Sequence, residues 1–488
     1  VTKLRDIVTI DHGSRPAAIR LDDALAGGAG DLIDAFTPTR SSIAILRHLQ
    51  RAVLPNARKE FRAMVWHGVY GSGKSHLGVL VGHLLGCGSG GPEMQRFLGR
   101  LANQGETGLK SEIESTFLPD DDPDARPYLV VPLYASDAPT LPSSLLEGLY
   151  RAIDATDGLD PASILPKTEY GAARERLEMI LEHHPEHRET PLSHWDIHCA
   201  AFNPAELGRE LDNISPAALE AFKKWHPKVS AGALFDPQDY GGKKLVDAYR
   251  EAADALAGEH GYKGIAVIRD EFGYAIESMI AQPQRRQIEE IQALQDFVEV
   301  VCAAPQRHTL FIAMTHRSLR EYGVSAQASA AVKLRLETIE GRFTQTPLEL
   351  KAFEAEGYHL LGALVAPTET GRASLQQSAA RADNLARVCA RMQLFHALAT
   401  DIAAIVEGCY PLHPVTAAGL FAIASHGVYA QANRTVFTSR TPSPCCCSPE
   451  CSETTSSPLT HSSRRLYMTR TRRRRACCRI WRIYPTPE

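Results

Sequence analysis

The sequence predicts an α/β fold, a parallel β-sheet flanked by helices, and three observations carry that reading. Short apolar runs alternate with longer helix-like stretches over residues 61–350. A glycine-rich loop from Gly68 to Ser75 separates one such run from a stretch of helical length. A later run, GIAVI at residues 264–268, leads into the acidic pair Asp270 and Glu271. Strands that alternate with helices are joined by crossovers, which makes the pairing parallel and covers both faces of the sheet.

Taken in order, residues 1–60 read as an N-terminal helical lead-in, with an amphipathic helix over residues 41–53 (SSIAILRHLQRAV) that starts at Ser41 and Ser42. Residues 61–67 (FRAMVWH) read as a buried strand, and residues 74–85 as the helix beyond the glycine loop, ended by the glycine-rich residues 86–92. A second strand is expected at 128–134 (YLVVPLY), a third at 264–268, a fourth at 309–314 (TLFIAM) and a fifth within 343–350. A helix over 284–303 separates the third from the fourth. The expected core therefore spans 61–140 and 261–350, split by a mostly helical insertion at 141–260. Residues 351–437 read as a C-terminal helical lid, with alanine-rich stretches at 381–407 and 414–432. Residues 438–488 are rich in Ser, Thr and Pro, contain CCC and RRRR, and lose all apolar periodicity, so they read as a disordered tail.

The chain has 488 residues, enough for two to four domains of about 100–200 residues each. Its composition is that of a soluble globular protein. No apolar run approaches the roughly 18 residues of a membrane helix, and the polar N-terminus lacks a signal-peptide core, which predicts a cytoplasmic protein without a membrane partner. The net charge of −4 hides a division: the tail holds ten Arg and three Glu, a net +7, leaving −11 on residues 1–437. A basic nucleic-acid surface is thus not written into the body's net charge, although a local patch is compatible with it. Cys87, Cys199, Cys302, Cys389 and Cys409 are scattered singly, as suits a reducing compartment, and the tail cysteines form no CxxC pair.

Gly68, Val69, Tyr70, Gly71, Ser72, Gly73, Lys74 and Ser75 satisfy GxxxxGK[ST] between a predicted strand and a predicted helix, the context this phosphate-binding motif needs. Glycines let backbone N–H groups converge on phosphate oxygens, and the helix N-terminus adds partial positive charge. Lys74 is expected to reach the β- and γ-phosphates, Ser75 to ligate magnesium, and His76 to extend the binding stretch. The predicted ligands are ATP and Mg2+. Asp270 is the expected second magnesium ligand and Glu271 the residue that polarises an attacking water. Arg269 departs from the usual pattern, since the residue before that aspartate is more often apolar. Thr315 and His316 follow the fourth strand, where a polar side chain reaches the γ-phosphate or the water. Arg342 is a candidate finger onto a neighbouring subunit's nucleotide, a role that requires a ring or dimer, with a plain surface arginine as its alternative. His183, His184, His187, His194 and His198 crowd one segment, but without an HExxH glutamate they read as solvated rather than as a zinc site.

The constellation resembles the AAA+-like P-loop ATPases, and among them the large ATPase subunits of BREX and phage-growth-limitation systems of bacterial phage defence. The matching segments are VYGSGKSHLGVL (69–80), RDEFGYAIE (269–277), THRSLREYG (315–323), EGRF (340–343) and YPLHPVTAAGL (410–420). QANRT at 431–435 is similar to the family's QNxRT segment, with Ala432 in place of asparagine. The resemblance covers roughly residues 30–437 and implies an AAA+-like P-loop NTPase sheet with a helical lid, from which Arg434 acts as a second sensor. It also implies defence-system protein partners and action on or near DNA. Family members continue past QNxRT into further ordered sequence, so residues after about Thr438 are expected to be an out-of-frame reading of a longer protein. No LSGGQ-like signature and no NKxD motif is present, which favours ATP and disfavours transporter-type ATPases and GTPases. The expected function is an ATPase driving conformational change in an assembly. The alternatives are an ATP-dependent switch or scaffold with little turnover, and a DNA translocase or helicase-like motor.

Overall fold

A computed structural model describes residues 4–10, 19–54, 57, 61–68, 71–118, 122, 126–134, 140–185, 202–304, 308–326, 328–343, 348–350, 358, 360–361, 365–377, 379–391, 409 and 412–425. Among them the strands are β1 (Val8–Ile10), β2 (Ala63–His67), β3 (Tyr128–Leu133), β4 (Gly264–Arg269), β5 (His308–Thr315), β6 (Leu348–Glu349) and β7 (Val365–Pro367). Contacts divide the chain into two compact units: residues 18–353, and the described residues of 1–17 together with those of 354–488.

The larger unit is built on a five-stranded sheet of order β3-β4-β5-β2-β6 in which every pairing is parallel. Period-two alternation sends successive side chains to opposite faces. From β4, Ile265 and Val267 enter one core, and Ala266 and Ile268 the other. From β5, Phe311 and Ala313 join the first, and Leu310, Ile312 and Met314 the second. All six residues of β4 are buried, the pattern expected of a parallel strand covered on both sides. The first face packs against helices Leu141–Asp154, Leu245–Glu259 and Phe272–Ala281, the second against Arg40–Ala52, Lys74–Cys87 and Pro92–Asn103. The fold is thus α/β, a parallel sheet flanked by helices. Between β3 and β4 the described residues are mainly helical, including Glu169–His183, Pro204–Asp212 and Pro216–Val229.

Several boundaries differ from the sequence reading. The first amphipathic helix begins at Arg40 because Thr39 caps it: Thr39 Oγ1 accepts from Ser42 N while Ser42 Oγ accepts from Thr39 N, so Ser42 is the third residue of a capping box. Among the described residues the fifth strand is Leu348–Glu349, within the expected range. The helix expected over 284–303 ends at Asp296 and continues as a π-helical turn, Phe297–Val301. In the smaller unit β1 pairs antiparallel with β7, and the unit also contains helices Glu369–Gln377, Ala379–Arg391 and Pro414–Ser425. The sequence reading contains neither of these two strands, because three residues are too few to display alternation. His187, His194, His198 and residues 426–488 lie outside the described residues. Among the described residues no helix is long and apolar enough to cross a membrane.

Phe311 sits at the centre of the first core, with ring centroids 5.7 Å from Phe272, 5.5 Å from Phe297 and 6.0 Å from Phe343. It is fully buried. Phe311→Ala is therefore expected to cost about 3–5 kcal/mol, measured as a shift of the denaturant midpoint, because helix and loop residues all lose a partner and cannot all collapse into the space.

Candidate functional site

Parallel strands end on the same edge of the sheet, so the residues that follow β2, β4 and β5 are brought together there. The register sets them side by side: His67 is opposite Thr315, and Arg269 is opposite Ala313. Gly68, Asp270 and His316 are the next residues along the chain.

The loop after β2 is held close to its neighbours. Gly68 N donates to Thr315 O at 3.1 Å, and a Cβ at Gly68 would lie 2.6 Å from Leu350 O and 2.8 Å from Ser72 Oγ. No side chain fits there. Gly73 caps the helix Lys74–Cys87 with φ 87°, a left-handed conformation that glycine takes without strain. Val69 and Tyr70 lie outside the described residues. His76 is turned away from the loop, its Nε2–H donating to Leu32 O at 2.5 Å and its ring edge-on to Phe36.

Lys74 is buried at the centre. Its Nζ donates to Gly68 O at 2.6 Å and to His316 Nδ1 at 3.2 Å. An ammonium only donates, so Nδ1 accepts and the ring proton is on Nε2, which donates to Glu271 Oε2 at 2.6 Å. Lysine, histidine and glutamate thus form one hydrogen-bonded chain across three strand ends. Burial pulls the Lys74 pKa down to about 8, against the opposing pull of the Asp270 and Glu271 carboxylates.

Asp270 is 2% exposed, and that burial raises its pKa, while the Ser75 hydroxyl and the Glu271 amide favour the charged form. Asp270 Oδ1 accepts from Glu271 N at 2.9 Å. Glu271 has φ 53° and ψ 36° and caps the helix Phe272–Ala281. A non-glycine residue held there carries about 1–3 kcal/mol of strain, and such residues cluster at functional sites.

Three buried oxygens of this region have no hydrogen-bond partner among the described residues: Ser72 Oγ, Asp270 Oδ2 and Thr315 Oγ1. Each such atom costs about 1–3 kcal/mol unless something else bonds to it. Among the described residues no cluster of three or more His, Cys, Asp or Glu is arranged to hold a metal. Asp270 and Ser75 together offer two oxygens. That suits Mg2+, which keeps waters and takes phosphate oxygens rather than an all-protein cage.

Of the remaining sequence candidates, Arg342 Nη1 is paired with Glu299 Oε1 of the same chain at 2.7 Å, half exposed. Arg434 lies outside the described residues. Tyr134 was missed. It follows β3 and is near enough to Glu271 and Asp270 for their charges to add to burial in raising its pKa, and Arg20 lies over its ring at 5.2 Å. Its position one residue beyond a strand was the available signal.

No family model, no curated protein and no solved structure matches the chain. The class that can be stated is accordingly an α/β protein with a parallel five-stranded sheet, compatible with a Rossmann-like or P-loop fold.

Proposed function

We propose that the chain binds ATP at the loop from Gly68 to Ser75 and hydrolyses it to ADP and phosphate. The observation that carries this reading is the Lys74–His316–Glu271 chain, together with three buried oxygens at the same strand ends and loop that have no partner among the described residues. A phosphate chain supplies what those groups want: anionic oxygens for Lys74 and acceptors for the Ser72 and Thr315 hydroxyls. The order of the sheet, with β5 between the loop-bearing β2 and the acid-bearing β4, supports a P-loop core of the AAA+-like kind.

In this reading the backbone N–H groups of the loop and Lys74 bind the phosphates. Asp270 and Ser75 hold Mg2+, which neutralises charge on the phosphate oxygens. Glu271 orients the attacking water and takes its proton, and His316 fixes the direction in which Glu271 points. Thr315 contacts the γ-phosphate side. The resemblance extends the proposal to a role in bacterial anti-phage defence: a cytoplasmic subunit that works with other defence proteins on or near DNA, with a lid from residues 351–437 supplying Arg434 and a neighbouring subunit supplying Arg342. ATP turnover by the full chain, with and without duplex DNA and with Lys74→Ala as control, tests the central claim. Equal phosphate release by wild type and Lys74→Ala would remove it. A fall in DNA affinity with rising salt would mark direct phosphate contacts and favour the motor alternative.

A nucleotide-operated switch with little turnover is the second reading. It is favoured by one observation: Glu271 is bonded to a histidine that is itself bonded to Lys74, so a ligand at Lys74 bears on Glu271 before any chemistry.

The Lys74 environment also sets a pH dependence. A phosphate anion on Lys74 raises its pKa above the ligand-free value of about 8, so binding takes up a proton where the free lysine has lost one. ATP affinity is expected to be insensitive to this group below pH 8 and to fall about tenfold per unit as pH rises beyond it. Calorimetric titration from pH 7 to 9.5 measures this. Lys74→Met keeps Asp270, Glu271 and His316, the titratable groups that face the lysine, and should lose the slope.

A further inference from the structure

Arg269 is the residue the proposed hydrolysis does not use, and it is 4% exposed. Its Nη1 donates to Ser144 Oγ, its Cζ lies 6.0 Å from the centroid of the Phe272 ring, and Nε has no partner among the described residues. None of these partners is a carboxylate, and burial keeps the nearby Tyr249 a neutral phenol. Burying a guanidinium without an ion pair is expensive, and burial pulls its pKa to about 10. Ser144 also lies in the first turn of the helix Leu141–Asp154, the end where a cation is least welcome. A plain core position would be filled at lower cost by an apolar residue.

The placement says what the arginine does there. Arg269 ends β4, and Phe272 begins the helix after Glu271, so the two pinned side chains bracket the left-handed turn. Ser144 Oγ donates to Leu141 O at 3.1 Å, and Leu141 N donates to Glu290 Oε2 at 3.0 Å, so the arginine's partner is itself fixed. Ser144 and Tyr249 both belong to the stretch between β3 and β4. We propose that Arg269 is a positioning residue, which holds the strained turn at Glu271 by tying it to the first turn of the helix Leu141–Asp154. Through this tie the segment between β3 and β4 sets where the Glu271 carboxylate points. The catalytic consequence rests on the ATPase reading; the mechanical tie does not.

Amide hydrogen exchange on the full, ligand-free chain tests the tie directly. Arg269→Met, of similar length and apolar, is expected to speed exchange at least fivefold over residues 270–274, with helix Lys74–Cys87 unchanged as the internal standard. Ser144→Ala should speed the same amides by less, and the double variant should match Arg269→Met, since both remove one link. Arg269→Lys, which keeps a donor, should recover part of the protection and carries the test with Ser144→Ala if Arg269→Met fails to fold. Unchanged exchange in the folded variants, or an increase spread over the whole chain, overturns the proposal. Phosphate release separates the two claims: Arg269→Met should lower kcat about tenfold at unchanged KM, and a wild-type kcat beside faster local exchange overturns the positioning role. Faster local exchange in a chain whose wild type shows no Lys74-dependent turnover supports the tie and sinks the ATPase reading instead.

Discussion

Lys74→Ala is expected to reduce ATP turnover by about 10²–10³-fold, the range seen when one preorganised electrostatic contact to a reacting group is removed. It should also weaken nucleotide binding by one to two orders of magnitude, since a charge-assisted hydrogen bond contributes about 1.5–3 kcal/mol. The ammonium is buried beside two carboxylates, with Gly68 O at 2.6 Å and His316 Nδ1 at 3.2 Å. Its removal does more than delete a phosphate contact. His316 loses the donor on Nδ1, and the orientation it gives Glu271 is weakened. Folding stability should fall as well, because removing one member of a buried charge cluster leaves the Asp270 carboxylate without its cation. A lowered melting temperature that still leaves the chain folded, together with lost turnover measured by phosphate release, is the expected pair of results. A collapsed melting temperature would mean that Lys74 is structural and that lost turnover says nothing about phosphate.

The difference between this site and its sequence signature lies in distance along the chain. GxxxxGK[ST] between a strand and a helix is local, so Gly68 to Ser75 could be read directly, as could the strands that became β2 to β5, whose apolar runs are long enough to count. Asp270 and Glu271 were legible because an acidic pair at a strand end is a local pattern too. The contact between Lys74 and His316 joins residues 242 apart and depends on β5 lying next to β2, which no single segment specifies. Strand order also decides the fate of Arg269. In sequence it is a departure from an apolar preference; in the fold it faces Ser144, 125 residues away, and becomes a tie. The left-handed backbone at Glu271 was equally invisible, because glutamate has no intrinsic preference for that conformation. Tertiary context imposes it. Short strands such as β1 and β7, and the cap at Thr39, fell below the length or the offset that pattern reading uses.

That imposed conformation makes Glu271 the position where stability and turnover should part most clearly. Glu271→Gln keeps the shape and a hydrogen-bond acceptor for His316 Nε2–H but removes the base. Turnover should fall by about 10²–10⁴-fold, the span of general-base contributions, with nucleotide affinity within a few-fold of wild type. Glu271→Gly removes the side chain and the strain together. Glycine adopts φ 53° freely, so the variant should be about 1 kcal/mol more stable on denaturant unfolding, while its turnover falls at least as far as that of the glutamine variant. A residue retained at a cost in stability is retained for its carboxylate, and the two variants together separate that explanation from packing. If Glu271→Gln keeps wild-type turnover, the carboxylate is not the base and the switch reading gains. If Glu271→Gly is destabilised, the turn is held by contacts of the glutamate itself, foremost the 2.6 Å bond to His316, and the strain is offset locally rather than imposed by the surrounding fold.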